Sequence, residues 1–306
     1  ILKLVITIPE RENVIVDLLK NILAELGIRN DRLVILGHKQ SYMYYAVSQP
    51  KELWANSVGL FEFDEMGLRY TNLTVDKRTI PYIVGADVHD LSDIMPYSVL
   101  QEKGDVKYMF LNTANTMLHK KMVTTIYVTG KGFDQRWATD ALKELCNGRR
   151  VFRGQNLFNK GAAYAARMLT DREKTKEFIF LDDDMLTSDI SIRTYHNAKM
   201  HDVVLAKAGT LWSDIDESID IIPDNEDEIQ ITDKNVLTRE TRAHILSLSG
   251  FAVRDNKTTR FTVRIRFADQ YTCIVTLKDN GFGEFYPSTN RIWERYIKIN
   301  GADSKN

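Results

Sequence analysis

The stretch 125–166 constrains the fold more than any other part of the chain. It begins with a run of β-branched and aromatic residues at 125–128, which is typical of a buried strand. Residues 129–132 (TGKG) interrupt this run, and apolar residues at helical spacing follow over 137–145. A short strand and a second helix rich in Gly and Ala complete the stretch. This order predicts half of an α/β domain, with the glycine loop at the carboxyl end of a strand, where open α/β sheets bind ligands.

The glycine loop itself supports two interpretations. It does not end in Lys-Ser/Thr as a P-loop does, and it has no third glycine to complete a dinucleotide fingerprint. Glycines are also common at strand-to-helix turns for steric reasons alone. The loop is therefore either a simple turn or part of a nucleotide site, and the neighbouring elements have to decide between the two.

Composition excludes several classes of protein. The 306 residues carry a formal net charge of −1, which gives no basic field for nucleic acid or a membrane surface. Cys146 and Cys273 lie in apolar patterns, so we expect neither a disulfide framework nor a zinc site. No apolar run approaches the roughly 18 residues of a membrane span. We therefore expect a cytoplasmic protein with no nucleic-acid or membrane partner.

The N-terminal half predicts alternating strands and helices. Residues 1–8 and 33–36 are typical of buried strands, and each is followed by a helical pattern, at 11–26 and 38–49. This βαβα order predicts a parallel sheet. The hydrophobic period then changes, and 58–73 predicts a hairpin. The chain begins inside a strand and without Met, so we expect further sequence before Ile1.

The C-terminal part has a different character. After a charged linker at 171–176, residues 178–300 are rich in strand patterns separated by turn signals, which indicates an antiparallel sandwich. The sequence therefore predicts a domain boundary near 170–180. The predicted strands lie at 203–206, 228–232, 243–248, 261–267 and 271–277.

The element order around the glycine loop, with the small-residue helix NKGAAYAA, resembles the actin, sugar-kinase and heat-shock-chaperone ATPase superfamily. A bacterial family of unknown function with the same layout is a further expectation. The resemblance implies an α/β, actin-like (ribonuclease-H-like) two-lobed ATPase fold followed by an antiparallel β-sandwich. Residues 1–56 would belong to the first lobe, 57–170 would form the second lobe and connecting helix, and 178–300 would form the sandwich.

The resemblance also implies a ligand and its site. ATP or ADP with magnesium would bind a glycine loop, and the first phosphate loop would lie before Ile1. The hairpin would stand where the second phosphate loop belongs. The implied nucleotide-binding residues are Gly130, Lys131, Gly132 and Phe133, and the phosphate or magnesium candidates are Glu62, Asp64 and Gly67.

The hairpin departs from the superfamily pattern. Its sequence LFEFDEMGL offers the carboxylates Glu62, Asp64 and Glu65 but a single glycine, so it would repel a triphosphate unless magnesium intervened. We therefore expect a chaperone-like or actin-like nucleotide-binding protein with weak or no ATP hydrolysis, whose sandwich binds a protein or peptide partner. The alternative is a degenerate scaffold or peptide-binding module that binds no nucleotide, and a sugar kinase is a third, weaker alternative.

Other charged groups favour simpler interpretations. The run at 182–184 (DDD) and the acidic residues over 214–228 are typical of solvated turns, and the latter lack the spacing of a calcium loop. The histidines show no metalloprotease spacing, so no metal site is predicted. The arginines at 149–153 could hold phosphate or pair with the linker carboxylates.

Overall fold

The computed structural model describes residues 2–78, 80–101, 105–171, 174–196, 199–224, 228–248, 251 and 254–299. The chain divides into two compact units, Ile1–Phe180 and Leu181–Asn306. The fold is mixed α/β with several sheets, some of them antiparallel, which confirms the fold class at that level. Among the described residues, no helix has both the length and the apolar character needed to cross a membrane.

The first unit combines helices with parallel and antiparallel strands. Its helices are α1 (Asn13–Glu25), α2 (His38–Val47), α3 (Val106–Leu118), α4 (Arg136–Leu145) and α5 (Leu157–Thr170). Its strands are β1 (Leu4–Ile8), β2 (Leu33–Gly37), β3 (Ser57–Asp64), β4 (Gly67–Asp76), β5 (Tyr82–Asp90), β6 (Val123–Thr129), β7 (Arg150–Arg153) and β8 (Phe178–Leu181).

Two sheets organise these strands. β1 and β2 form a two-stranded parallel sheet, as the βαβα pattern predicts. The other sheet has six strands in the order β7-β6-β3-β4-β5-β8. Within it β3, β4 and β5 form an antiparallel meander, while β6 runs parallel to β3 and β7 parallel to β6. The hairpin and the strand before the glycine loop are therefore neighbours.

Aromatic side chains fill the core on one face of the six-stranded sheet. Phe133 follows β6 directly and makes edge contacts with Phe63 of β3 and Phe110 of α3. Trp137 of α4 packs against the same three rings. The glycine loop is thus anchored by the core, because its last residue is 2% exposed.

Helices α2 and α5 cross in close contact on the other face. A Cβ atom built on Gly161 of α5 would lie 1.9 Å from the backbone oxygen of Ser41 of α2. Only glycine fits there, which explains part of the small-residue pattern in NKGAAYAA.

Strand β5 was not predicted from the sequence, which left 74–105 without a clear pattern. The first half of β5 is buried at Ile83, Val84 and Ala86, but Gly85 and the polar residues that follow weaken the alternation. Pairing with β4 stabilises this strand more than its own pattern does. Strand β8, within the range that the sequence assigns to the sandwich, lies beside β5 in the sheet of the first unit.

The second unit consists of two four-stranded antiparallel sheets that share one apolar core. Its strands are β9 (Ser188–His196), β10 (Lys199–Ala206), β11 (Asp216–Ile221), β12 (Glu228–Asn235), β13 (Thr241–Ser247), β14 (Arg260–Asp269), β15 (Thr272–Gly281) and β16 (Ile292–Lys298). The sheet orders are β10-β9-β12-β13 and β11-β14-β15-β16. Three of these strands, at 188–196, 216–221 and 292–298, lie outside the five predicted ranges, and polar residues dominate the second of them.

A buried ion pair fixes one end of the second unit. Asp279 is 1% exposed and accepts hydrogen bonds from the two terminal nitrogens of Arg254 at 3.1 and 3.0 Å. The hydroxyl and backbone N–H of Thr289 also donate to Asp279, at 2.6 and 3.0 Å. Burial alone would raise the pKa of Asp279, but the hydrogen bonds from Thr289, Arg254 and Gly281 lower it to about 2.

Removing one partner of this pair should strongly destabilise the second unit. We expect Arg254→Ala to lower its free energy of unfolding by about 3 kcal/mol, because Asp279 stays buried without its cation. The control is Arg260→Ala, whose half-exposed pair with Asp220 at 3.9 Å should be worth less than about 1 kcal/mol. Urea unfolding followed by fluorescence would measure both, and equal losses would contradict this role for Arg254.

Candidate functional site

Strands β3, β6 and β7 of the six-stranded sheet run parallel and end at one edge of the first unit, which we call the carboxyl edge. The register places Glu62 of β3 opposite Thr129 of β6, and Val128 of β6 opposite Arg153 of β7. Ligand sites of open α/β sheets form outside the carboxyl ends of such strands. The hairpin turn after β3 and the glycine loop after β6 therefore begin side by side.

Four titratable side chains meet at the carboxyl edge: His38, Glu62, Asp64 and Arg69. We call them the Glu62 cluster. The Nη2 atom of Arg69 lies 3.2 Å from Oε1 of Glu62 and 3.6 Å from Oδ2 of Asp64. The Nδ1 atom of His38 lies 3.9 Å from the same Oε1. The side chain of Glu62 is only 14% exposed, so its charge is balanced mainly by protein groups rather than by water.

Local structure explains why these residues meet. Glu62 and Arg69 are direct cross-strand partners in the β3–β4 hairpin, so both side chains lie on one face of the sheet. His38 is the first residue of α2 and immediately follows the last residue of β2. Its ring stacks on Phe158 of α5, with centroids 3.8 Å apart and planes 7° from parallel. The beginnings of α2 and α5 therefore meet beside the hairpin.

Burial shifts Glu62 and His38 toward their neutral forms. It raises the pKa of Glu62 to about 7; the charge of Arg69 opposes this shift, and Asp64 adds to it. Burial also lowers the pKa of His38, with a further contribution from Arg69 and an opposing one from Asp64. Near neutral pH, Glu62 therefore exchanges a proton while His38 is mainly uncharged.

Two buried polar atoms of the Glu62 cluster have unmet hydrogen-bonding capacity. His38 Nδ1 and Arg69 Nε make no hydrogen bond with any residue that the structure describes. An unsatisfied buried polar group costs about 1–3 kcal/mol, and such groups are often completed by water or a bound ligand. The cluster thus combines carboxylate oxygens with ring and guanidinium nitrogens that a polar ligand could satisfy.

The glycine loop is in close contact with the hairpin strand. A Cβ atom on Gly130, which has φ of +101°, would lie 2.3 Å from the backbone oxygen of Phe63. One on Gly132 would lie 2.3 Å from the Phe63 ring. Both glycines are therefore required by packing, and the backbone of Phe133 is held by Arg153, whose Nη2 donates to its carbonyl oxygen at 2.7 Å.

The remaining predicted residues lie near these groups. Lys131 extends into solvent, and its Nζ atom lies 3.4 Å from Oε1 of Glu65, with both side chains 76% exposed. Gly67 has φ of +94° in the hairpin turn and packs closely on Ser92, so it serves the turn. Among the predicted residues, Lys131 carries the most exposed charged group.

Sequence reasoning found part of this arrangement. It singled out Glu62, Asp64 and Gly67, which the hairpin brings together, and it missed His38 and Arg69. His38 directly follows a buried strand in a βαβα unit, a position that could have marked it. Arg69 stands among apolar residues of β4 opposite Glu62, which was a second available signal.

Metal-binding geometry is limited in the described part of the chain. No group of three or more His, Cys, Asp or Glu side chains there is arranged to hold a metal ion. Asp183 donates its backbone N–H to the Asp182 carboxylate at 2.9 Å, which is the geometry of a local turn. Cys146 is exposed and Cys273 is buried, and both are free thiols.

Two models of unknown function match successive parts of the chain. The model of a family of unknown function (DUF5716), C-terminal, matches residues 1–183. The model of a domain of unknown function (DUF8552) matches residues 185–299. No curated protein matches the chain.

Proposed function

We propose that this chain, which belongs to the family of unknown function DUF5716, is a chaperone-like or actin-like nucleotide-binding protein of the cytoplasm. Its first unit would bind ATP or ADP with magnesium at the carboxyl edge, with weak or no hydrolysis. Its second unit, the sandwich, would bind a protein or peptide partner. An actin-like fold for the first unit is part of this proposal.

The proposal is carried by one observation: the hairpin, the glycine loop and the beginning of the small-residue helix α5 lie together at the carboxyl edge. The superfamily resemblance expects a phosphate loop, an adenosine loop and a connecting helix at these three places. The parallel registers of β3, β6 and β7 support this correspondence.

The carboxyl edge has side chains that could hold a magnesium nucleotide. Magnesium in proteins is commonly held by one or two carboxylates together with substrate phosphates, and Glu62 and Asp64 could supply those carboxylates. The buried Nε atom of Arg69 and the exposed ammonium of Lys131 are available donors for phosphate oxygens. Bound magnesium would neutralise the phosphates, and the side chains would orient them.

Weak hydrolysis follows from the same residues. Glu62 is held by Arg69 at 3.2 Å, and its pKa of about 7 leaves it partly protonated at neutral pH. A carboxyl group in this state is a poor partner for magnesium and a poor group for orienting water. The hairpin turn also has one glycine, Gly67, so few backbone N–H groups can approach the phosphates.

Binding of magnesium ATP should raise the melting temperature of the first unit. At a free concentration 100 times the Kd, stabilisation would be about 2.7 kcal/mol, which corresponds to several degrees. We expect Lys131→Ala to weaken binding about tenfold, since it removes an exposed charge that can reach phosphate. Scanning calorimetry and titration calorimetry with ATP, ADP and magnesium would measure both effects.

The matched control is Lys107→Ala. Lys107 lies on α3 and pairs with Glu144 of α4 at 3.3 Å, and neither residue belongs to the hairpin turn or the glycine loop. The Lys107→Ala variant should leave nucleotide affinity unchanged. Absence of heat and of any melting shift up to millimolar nucleotide would refute the nucleotide-binding proposal.

A second candidate is a scaffold or peptide-binding module without a nucleotide. It is favoured by the contacts of Gly130 and Gly132 with Phe63, which account for both glycines by packing alone. This candidate requires a partner contact that does not change when nucleotide is added. The calorimetric experiment therefore separates the two candidates directly.

A further inference from the structure

A small cavity lies in the first unit where helices α2 and α5 end. Its volume is about 240 Å³, and it is lined by the end of α2 and the turn after it, the last two turns of α5, and the segment 174–178 around the beginning of β8. An apolar cavity of about 150 Å³ is large enough to hold benzene. The cavity near α2 and α5 therefore has room for one six-membered ring and a small substituent.

Buried apolar side chains form one wall of this cavity. Trp54 and Phe178 lie edge to face, with ring centroids 5.9 Å apart and planes at 72°. Val47 and Met168 complete the wall, and all four side chains belong to the same buried core cluster. Aromatic rings prefer edge and offset contacts with other rings, and thioethers contact ring edges. This wall therefore suits an aromatic ring better than a charged group.

Charged side chains line the exposed part of the cavity, and most of them are cations. Lys51, Arg167 and Lys174 are exposed, and Glu177 is the one carboxylate among the lining residues that the structure describes. The Nζ atom of Lys51 lies 4.0 Å from Oε1 of Glu177, at the limit of an ion pair. Arg167 and Lys174 have no ion pair with the described residues. Three cations beside one carboxylate leave a positive excess, on a chain whose formal net charge is −1.

A further cation lies next to the cavity. The Nζ atom of Lys77 lies 4.8 Å from the centre of the Trp54 ring and donates to the carbonyl oxygens of Trp54 and Ala55, at 2.9 and 2.8 Å. Burial lowers the pKa of Lys77, and the charge of Lys51 lowers it further. The two ammonium groups therefore repel each other, and an anion bound beside them would reduce this repulsion.

The position of the cations also has a simpler explanation. Basic side chains near the carboxyl end of a helix interact favourably with its last carbonyl groups, and Arg167 lies in the last turn of α5. This role accounts for a single cation at a helix end. It accounts neither for cations that come together from three segments of the chain nor for the apolar wall beside them. A ligand with an apolar body and an anionic group accounts for both.

We propose that the cavity binds a small aromatic carboxylate, whose ring contacts Trp54 and Phe178 and whose carboxylate pairs with Arg167 and Lys51. The guanidinium group of Arg167 has parallel N–H donors that match the two oxygens of a carboxylate. The ring would lie against the apolar wall, and the charge would stay in the exposed part of the cavity. Each part of the ligand would thus meet side chains of matching polarity.

This inference goes beyond the proposed function, because the cavity and the Glu62 cluster lie at opposite ends of α2. The helix begins at His38, which belongs to the cluster, and ends at Val47, which lines the cavity. Its 10 residues span about 15 Å. A carboxylate bound in the cavity would therefore occupy a site separate from that of the nucleotide.

The test uses the full chain without nucleotide, labelled with ¹⁵N and titrated with benzoate. The indole N–H signal of Trp54 should shift on binding, because this side chain lines the cavity. The signals of Trp137, Trp212 and Trp293 should not shift, since none of them lines it. Benzyl alcohol has the ring without the charge, and acetate has the charge without the ring. Each should bind at least tenfold more weakly than benzoate.

Arginine variants locate the charged end of the ligand. Arg167→Ala should weaken benzoate binding at least fivefold, and it should leave the melting temperature without benzoate unchanged, because Arg167 is exposed. Arg167→Lys, which keeps the charge, should retain more of the affinity than Arg167→Ala. The matched control is Arg295→Ala on β16, which removes another exposed arginine that has no ion pair with the described residues. It should leave benzoate affinity unchanged.

Three results would overturn the proposal. The first is absence of a Trp54 shift at about 10 mM benzoate, ten times a Kd of about 1 mM. The second is equal affinity for benzoate and benzyl alcohol, since the cations would then have no part in binding. The third is an equal effect of Arg167→Ala and Arg295→Ala. None of these results changes the calorimetry of magnesium ATP, so failure of this proposal is distinguishable from failure of the nucleotide proposal.

Discussion

Replacing Gly161 with alanine is expected to destabilise the first unit by about 3 kcal/mol. The added Cβ would lie 1.9 Å from the backbone oxygen of Ser41, so α2 and α5 would have to move apart. This cost is opposed by helix propensity, which by itself favours alanine over glycine by about 1 kcal/mol inside a helix. The sign of the measured change therefore decides whether the close helix contact exists.

A reverse change on the same helix provides the control. Ala163 of α5 is exposed, so Ala163→Gly should destabilise by about 1 kcal/mol through propensity alone. Hydrogen exchange of α2 and α5 during urea unfolding would report on the first unit without contribution from the second. If Gly161→Ala stabilised these helices instead, the contact between Gly161 and Ser41 would be wrong.

This contact also shows what the sequence can and cannot predict. The small residues of NKGAAYAA are enough to predict a helix that packs closely against a neighbouring element. They do not identify α2 as the neighbour, because the contact joins residues that are distant in the chain. Periodicity reports which face of a helix is buried, whereas its partner depends on the whole sheet order.

The same distinction applies to the candidate site. Strand alternation and turn residues predict the hairpin, and they place Glu62 and Asp64 near its turn. The strand β11 was missed because its sequence DESIDI is mostly polar, and it is held by pairing with β14. His38 was missed because its role depends on contacts with Glu62 and Phe158 that no local pattern records.

Stability of the first unit should fall as pH rises through the range in which Glu62 ionises. The pKa of Glu62 is raised from 4.5 to about 7 in the folded chain, so the folded state holds a proton that the unfolded state has released. The resulting stabilisation is fully present below pH 4.5 and is lost as pH rises through about 7. Linkage gives a total of about 3 kcal/mol across this range.

The variant Glu62→Gln should remove most of the dependence of the first unit's stability on pH. Its neutral amide has nearly the size of the carboxyl group and cannot ionise, so we expect the variant to be about 2 kcal/mol more stable than the wild type at pH 8. At pH 5 the two proteins should differ little. Urea unfolding between pH 5 and 8, followed by hydrogen exchange of β3, would measure the difference.

Glu65→Gln is the matched control, because Glu65 is in the same hairpin turn with its side chain 76% exposed. It should leave the pH dependence of the wild type unchanged. If Glu62→Gln and Glu65→Gln gave the same profile, burial of Glu62 would not be the source of the dependence. If the stability of the wild type did not change between pH 5 and 8, the raised pKa of Glu62 would be contradicted.

The ionisation of Glu62 also connects stability with the proposed ligand. Magnesium requires an ionised carboxylate, so a site that uses Glu62 must bind magnesium nucleotide more tightly as pH rises through 7. The same rise in pH lowers the free energy of unfolding of the first unit when no ligand is bound. Bound magnesium would offset this loss, because it would stabilise the ionised carboxylate of Glu62. If the nucleotide instead contacted only Lys131 and the glycine loop, its affinity would be nearly independent of Glu62. The protonation of one buried carboxyl group thus distinguishes a magnesium-linked site from simple phosphate attraction.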